Sequence, residues 1–286
     1  MDKITDWSVL WRQLVLGLGE ASSGSRSTRI DPEDVWRKKA REFDVLTKKR
    51  AVEKDPLRDF VASRVNSETT VLDIGAGTGK WVTYLAPRVR RVTALDPSPS
   101  MLSILRENLA PEAIQNVEVV QGSWPEAKVE PHDFTICSHA VYSVPDLEPF
   151  LRRMIEVTRR TCFLVLKSPV RHGIMAEACL HIWGHPFDGP NFTVAYNVLL
   201  DMGVCANVLV DPALWDPWVH SGLEEALGET KRRLKISGTA EHDEFLLDLL
   251  AHRLTVQDGK YVWPRGVRSV LVYWDVGVEE AQQLWT

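Results

Sequence analysis

Hydrophobic and polar positions change rhythm several times along the chain. Trp7, Leu10, Trp11, Leu14 and Leu18 recur at helical spacing, so the first stretch reads as an amphipathic helix. Residues 20–29, EASSGSRSTR, interrupt the pattern and read as a linker. Asp31-Pro32 can then start a helix with Trp36, Ala40 and Phe43 on one face, and Leu57, Phe60, Val61 and Val65 mark another. From residue 69 short apolar runs alternate with amphipathic ones. Strands are expected at 69–74, 91–95, 117–121, 134–137 and 162–166. Helices are expected at 80–86, 99–109 and 147–158, the second with Ser98 as N-cap and Pro99 at its first position. Beyond them, 173–183 and 193–202 read as helices, and 204–210 and 267–274 as strands. Two amphipathic helices within 222–254 separate those last two strands.

The alternation predicts an α/β fold: a mostly parallel seven-stranded sheet with helices on both faces. It divides the chain into an N-terminal helical lid (1–56), a core (57–211 and 265–286) and a helical cap inserted before the last strand (212–264).

Composition narrows the function. A chain of 286 residues suits one α/β core with an insertion. The net charge of −5 argues against nucleic acid as a partner, which calls for a basic face. Three short basic clusters (48–50, 88–91 and 231–233) sit at predicted element ends and read as solvated faces. Cys137, Cys162, Cys179 and Cys205 form no CxxC pair and have apolar neighbours, so they read as small buried hydrophobes in a reducing compartment. No apolar run is long enough to span a membrane. The apolar start is interrupted by Arg12 and Gln13 and lacks a basic segment before it, so a signal peptide is not expected and the cytoplasm is. The eleven tryptophans close an ordinary core or line an aromatic pocket.

The chemistry is carried by residues 71–79, VLDIGAGTG. Gly75, Gly77 and Gly79 follow the first strand and lead into a helix, where glycine allows a sharp turn and close approach of a ligand. The helix start should offer free N–H groups to an anionic part of that ligand. The spacing is GxGxG rather than the GxGxxG of dinucleotide sites, and Gly79-Lys80 is followed by Trp81, not the Ser or Thr of a Walker loop. Asp96 ends the second strand, where a carboxylate can accept hydrogen bonds from vicinal ribose hydroxyls.

VLDIGAGTGKW, ALDPSPSML and VVQGSWPE together resemble the three cofactor motifs of class I S-adenosylmethionine-dependent methyltransferases, over roughly residues 57–170. The resemblance implies S-adenosylmethionine as cofactor and S-adenosylhomocysteine as product. It implies that Asp73 anchors the cofactor's amino-acid end and that Gly75, Ala76, Gly77, Thr78 and Gly79 line the methionine and ribose. Asp96 would bind the ribose, with Pro97, Ser98 and Met101 beside the adenine; Met101 reads equally as helix packing. Gly122, Ser123 and Trp124 would flank the other edge, Trp124 reading equally as a surface hydrophobe. Ser138 and His139 would face the methionine moiety, and the segment from Trp36 would close over the cofactor.

The acceptor should lie over the fourth and fifth strands, under the cap. His139, Tyr142 and His172 are the candidate catalytic groups, and Tyr142, Arg171, His172, His185 and Trp218 the candidate acceptor contacts. His172, His181 and His185 lack the spacing of a metal site, so no metal is expected. CSHAVYSVPD stands where amino methyltransferases of adenine or glutamine carry Asn-Pro-Pro-Tyr, and LKSP lacks the Asp-Asn pair of metal-dependent catechol-type enzymes. A small-molecule acceptor and a monomer or homodimer are expected. The alternatives are a protein or RNA acceptor, or a non-catalytic S-adenosylmethionine-binding regulatory or scaffold protein.

Overall fold

The computed structural model describes residues 5–17, 34, 36–51 and 55–277. Its elements run α1 (Trp7–Leu16), α2 (Ala40–Ala51), α3 (Pro56–Ala62), β1 (Thr70–Ile74), α4 (Lys80–Leu85), β2 (Arg91–Asp96), α5 (Pro99–Leu109), β3 (Val117–Gln121), β4 (His132–Ser138), α6 (Leu147–Glu156) and β5 (Thr158–Lys167). Then follow α7 (Ile174–Trp183), α8 (Phe192–Asp201), β6 (Asn207–Val210), β7 (Val219–His220), α9 (Leu223–Leu234), α10 (Asp243–Arg253), β8 (Thr255–Gln257), β9 (Lys260–Val262) and β10 (Ser269–Asp275). The linker expected at 20–29 and the helix start expected at Asp31-Pro32 lie outside the described residues.

The runs that are apolar on both faces become the middle of the sheet. β1 is buried at every position and sits centrally in the order β3-β2-β1-β4-β5-β10-β6. The strands from β3 to β5 pair in parallel, and β10 runs antiparallel between β5 and β6. The seven-stranded, mostly parallel sheet is therefore present. Helices cover both faces, since residues strictly alternate sides along a strand. Leu72 and Ile74 face the cluster holding Phe150, Leu151, Val194 and Val198, while Val71 faces Val82, Leu85 and Leu105.

Three features depart from the sequence reading. β5 starts at Thr158 rather than 162, because Thr158 Oγ1 bonds Met154 O and Thr135 Oγ1 (2.6 Å each) and so leads the chain out of α6 into the sheet. The insertion is not purely helical. β7, β9 and β8 form a three-stranded sheet, with Asp258 (φ 49°) and Gly259 (φ 72°) making the two-residue turn between β8 and β9. That Asp-Gly pair is a hairpin signal the helical periodicity around it obscured. Finally, α1 is part of the core rather than a lid. Trp11 is fully buried among α6 and α8 residues and its Nε1 donates to Val144 O at 2.8 Å.

A second apolar cluster lies outside the sheet's own core. Ile174, Met175, Ala178 and Cys179 of α7 pack against Ala226, Leu227, Leu246, Leu250 and Trp263 of the insertion. Cys137, Cys162 and Cys179 are buried as expected, and burial pushes the Cys162 and Cys179 thiols up to about 12, so they stay protonated. Cys205 is exposed, on the loop before β6. Among the described residues no helix is long and apolar enough to cross a membrane.

Candidate functional site

The strand order reverses between β1 and β4, and a crevice opens at the carboxyl ends of strands at such a point. Register brings the motif residues together there. Ile74 pairs with both Leu95 and Cys137, so the ends of β1, β2 and β4 bring Gly75, Asp96 and Ser138 into one row.

The glycine loop works by shape. The amides of Gly75 and Ala76 both donate to Leu95 O (2.8 and 3.0 Å), that of Gly77 to Asp96 Oδ2 (2.9 Å) and that of Gly79 to Ala76 O (2.9 Å). These four donors are thus committed within the protein, and the start of α4 that follows has no side-chain cap. What the glycines supply is room. A side chain at Gly75 (φ 72°) would put its Cβ 2.2 Å from Ala140 Cβ, whereas at Gly77 (φ 55°) it would meet only Phe43 Cε1 at 3.9 Å. Gly77 therefore faces open space under α2.

Two buried carboxylates lie beside this loop. Asp73 is 2% exposed and its Oδ2 has no hydrogen-bond partner. Burial, reinforced by the nearby charge of Asp96, pushes its carboxyl up to about 8. A buried oxygen with no partner is costly and marks a place where a ligand donor belongs. Asp96 is raised by burial too, against hydrogen bonds from the Ser98 and Gly77 amides. Its oxygens accept those amides at 2.8 and 2.9 Å, which fixes the carboxylate at the rim of the crevice.

Sequence reasoning missed Asp34. Its carboxylate accepts from Ser98 Oγ (2.8 Å), the Ser100 amide (3.0 Å) and the Trp36 amide (3.0 Å), tying the segment before α2 to the start of α5. Those bonds outweigh burial and hold its carboxyl below the usual range. Its signal was an acidic residue two places before a tryptophan. Trp36 and Met101 meet in a small cluster with Ala40 and Ile104, so Met101 serves as packing between α2 and α5. Gly122 and Ser123 remain half-buried after β3, but Trp124 turns into the core and donates to Phe150 O (3.1 Å). Its ring is a core group, not an edge for a ligand. Thr78 and Ser98 are buried and Pro97 is exposed.

On the other side of the switch point, His139 (φ 54°) starts the turn after β4. The Lys167 amide donates to Tyr142 Oη (2.7 Å), which is 2.8 Å from His139 Nδ1. His139 Nε2 lies 3.2 Å from Ser269 Oγ, which also accepts Trp215 Nε1 at 3.2 Å. With the phenol donating to Nδ1 and Nε2–H donating to Ser269, the Tyr142 hydroxyl and both His139 nitrogens are paired. Burial raises the Tyr142 phenol well above its ordinary value, so it keeps its proton at neutral pH. This chain ties β4, β5 and β10 to the start of the insertion. Both His139 nitrogens are engaged, so its geometry suits a residue that holds the turn.

Next to this network, at the end of β5, a cavity of about 200 Å3 lies between the sheet and the insertion. Lys167 and Trp215 belong to both, and Trp218, Trp263 and Arg233 are among the other residues that line it. Trp218, one of the expected acceptor contacts, lines this cavity. Other expected contacts are elsewhere. Arg171 and His172 are exposed on the turn before α7, and His172 contributes only its carbonyl, to Arg253 (2.7 Å). His185 does not line the cavity but a small void that shares Asp188 and Arg233 with it, where burial lowers its pKa. His181 stacks on Phe245. Among the described residues no three His, Cys, Asp or Glu side chains are placed to share a metal ion. Arg233, read from sequence as part of a solvated basic run, instead lines the cavity.

Residues 71–161 match the family described as a methyltransferase domain. Demethylmenaquinone methyltransferase of Listeria monocytogenes is 32% identical over 101 residues, covering 34% of this chain and 43% of the relative. A probable ribosomal RNA small subunit methyltransferase A of Methanosarcina acetivorans is 32% identical over 88 residues, covering 30% and 31%. The chain thus spans less than half the length of the curated relatives it matches. Among solved structures, a putative methyltransferase of Bacillus halodurans is similar with a TM-score of 0.54 at 18% identity, covering 77% of this chain and 97% of that one. The YcgJ protein of Bacillus subtilis is similar with a TM-score of 0.50 at 14% identity, covering 76% and 97%. At that identity the two structures bear on the fold alone.

Proposed function

We propose that this chain, whose residues 71–161 match a methyltransferase domain, is a class I methyltransferase that transfers a methyl group from S-adenosylmethionine to a small-molecule acceptor. The observation that carries the reading is the unpartnered Oδ2 of buried Asp73, set beside a glycine loop at the switch point. The cofactor brings a cationic amino group and a sulfonium, and an isolated buried carboxylate suits a cation. When bound, the sulfonium would supply an activated methyl group to the acceptor's lone pair, the carbon–sulfur electron pair staying on sulfur and any acceptor proton leaving to water or a nearby base.

The chain's own work is then alignment and exclusion of water. Asp73 would hold the amino-acid end, Gly77 would leave the surface bare while Gly75 lets the loop pass Ala140, and Asp96 would accept from the ribose. Phe43 of α2, beside Gly77, is placed to cover the cofactor. The acceptor side is the cavity at the end of β5. Its volume, about 200 Å3, is below the roughly 300–1,000 Å3 of drug-sized ligand pockets and favours a small acceptor over a polymer.

Two variants check the cofactor site. Asp96→Ala is expected to weaken S-adenosylmethionine binding by about 1.5–3 kcal/mol, the scale of hydrogen bonds to a charged group. Unchanged affinity in calorimetry would remove Asp96 from the site. For Asp73 the sign follows from its raised value. Its unfolded carboxyl titrates near about 3.9, so the proton it holds in the fold stabilises fully below that and progressively less as pH rises through about 8. The melting temperature of the ligand-free protein should fall between about pH 6 and 9 more than that of Asp73→Asn. Saturating cofactor, which favours the ionised form, should flatten the difference. Parallel melting curves with and without cofactor would rule the assignment out.

The reading itself is tested by incubating the protein with methyl-labelled cofactor and cell extract, then separating products by size. Label in the small-molecule fraction supports it. Label only in protein or RNA moves the acceptor to a macromolecule, and cofactor binding without any transfer points to a regulatory or scaffold role.

A further inference from the structure

The cavity under the insertion has a more specific chemistry than its position requires. Its apolar walls are flat. Trp215, Trp218 and Trp263 contribute indoles, and Trp218 and Trp263 meet edge-on at 4.9 Å. Its charged lining residues are Lys167, Arg233 and Arg265 with Asp188 and Asp216, and Arg233 is ion-paired along α9 with Glu229. Arg265 faces Asp216 at 3.8 Å and Lys167 faces Asp188 at 3.4 Å, both loose pairs.

Arg233 is the residue without a full set of partners. Its guanidinium lies over the Trp218 ring, 3.6 Å from the centroid. Its Nε donates to Glu229 Oε1 at 2.6 Å, which anchors the side chain along α9. No described residue accepts from either terminal nitrogen. Burial lowers its pKa from the ordinary value, although it stays charged at any physiological pH. The guanidinium is thus planar and held by its Nε and by an indole, with its side chain 37% exposed and its two terminal nitrogens unused by described residues. Their edge presents two parallel N–H donors, the geometry that grips a carboxylate bidentately.

We infer that the acceptor is a small aromatic carboxylate of one or two rings. Its ring would lie among Trp215, Trp218 and Trp263, and its carboxylate would take the outer edge of Arg233 with Lys167 nearby. This rests on the methyltransferase reading and names its acceptor class. The cavity volume limits the size, the indoles select a flat apolar body over a puckered one, and the unused terminal nitrogens of Arg233 select an anionic end. The three features converge on one chemistry without any residue of the cofactor site.

The test is calorimetry on the full chain saturated with S-adenosylhomocysteine. The probes are benzoate, 4-hydroxybenzoate and indole-3-carboxylate, with cyclohexanecarboxylate as the non-planar acid and benzamide as the neutral ring. At least one aromatic acid should bind about tenfold or more tightly than both controls. Arg233→Lys keeps the charge but loses the fork and the stacking, and should lose most of that preference. Arg233→Gln should lose it entirely, with melting temperature recorded to confirm folding. Cofactor affinity, measured on the same samples, should not change. If the cofactor binds and no aromatic acid does, or if the acids bind equally to Arg233→Gln, the inference is wrong while the methyltransferase reading stands. If the cofactor itself does not bind, both fall.

Discussion

Gly77→Val is expected to leave the protein folded and to remove S-adenosylmethionine binding, by on the order of 100-fold or more, or about 3 kcal/mol. Gly75→Ala is expected to do damage of a different kind. At Gly77 an added Cβ has open space, its nearest neighbour being Phe43 Cε1 at 3.9 Å. The cost to the fold is the positive φ of 55°, on the order of 1–3 kcal/mol. The branched side chain would fill the volume in which a cofactor must lie, so the loss appears in binding. At Gly75 even a methyl group would stand 2.2 Å from Ala140 Cβ, at φ 72°. The turn after β4 must then move away from β1, which adds roughly 1–3 kcal/mol of overpacking to the strain. Thermal melts and cofactor titrations on both variants separate the two effects. A Gly77→Val protein that binds cofactor normally would show that the loop does not touch it.

Trp11→Ala should cost about 3–5 kcal/mol of stability, the range for emptying a buried aromatic site. Trp11 is fully buried, against α6 and α8, and its indole N–H satisfies Val144 O in the turn after the candidate catalytic segment. Loss of the ring leaves a cavity and an unpaired carbonyl together. On the scale of a whole domain's stability, roughly 5–15 kcal/mol, that is a large fraction. Denaturant unfolding gives the number. A change under about 1 kcal/mol would mean that α1 is only loosely docked, as a lid would be.

That contrast shows where the sequence was legible. The strands were found because the runs around Leu72, Leu95, Ile136 and Leu164 are apolar on both faces, a pattern only a covered parallel sheet explains. The cofactor side was legible for a related reason: Asp73, Gly77 and Asp96 lie at strand ends, and strand register alone brings them together. The acceptor side was harder. Arg233 sits in a run of three basic residues, and nothing local distinguishes it from Arg232, whose side chain is 72% exposed. Only the packing of α9 against Trp218 turns it toward the cavity. His172 misled for the opposite reason, since its place directly after a strand says nothing of which way an exposed turn faces. Trp124 follows a motif glycine, yet Phe150, distant in sequence, offers it a core and a carbonyl. Amphipathic periodicity likewise placed α1 as a helix without telling which surface would receive it.

The division of labour between loop and cavity is tested most directly by one set of titrations: S-adenosylmethionine against the unaltered protein, Gly77→Val and Trp218→Ala. The expected result is binding by the unaltered chain, near-complete loss in Gly77→Val, and affinity unchanged within about twofold, roughly 0.4 kcal/mol, in Trp218→Ala. No binding by the unaltered chain, or equal losses in the two variants, would contradict the assignment of the glycine loop to the cofactor and the cavity to the acceptor.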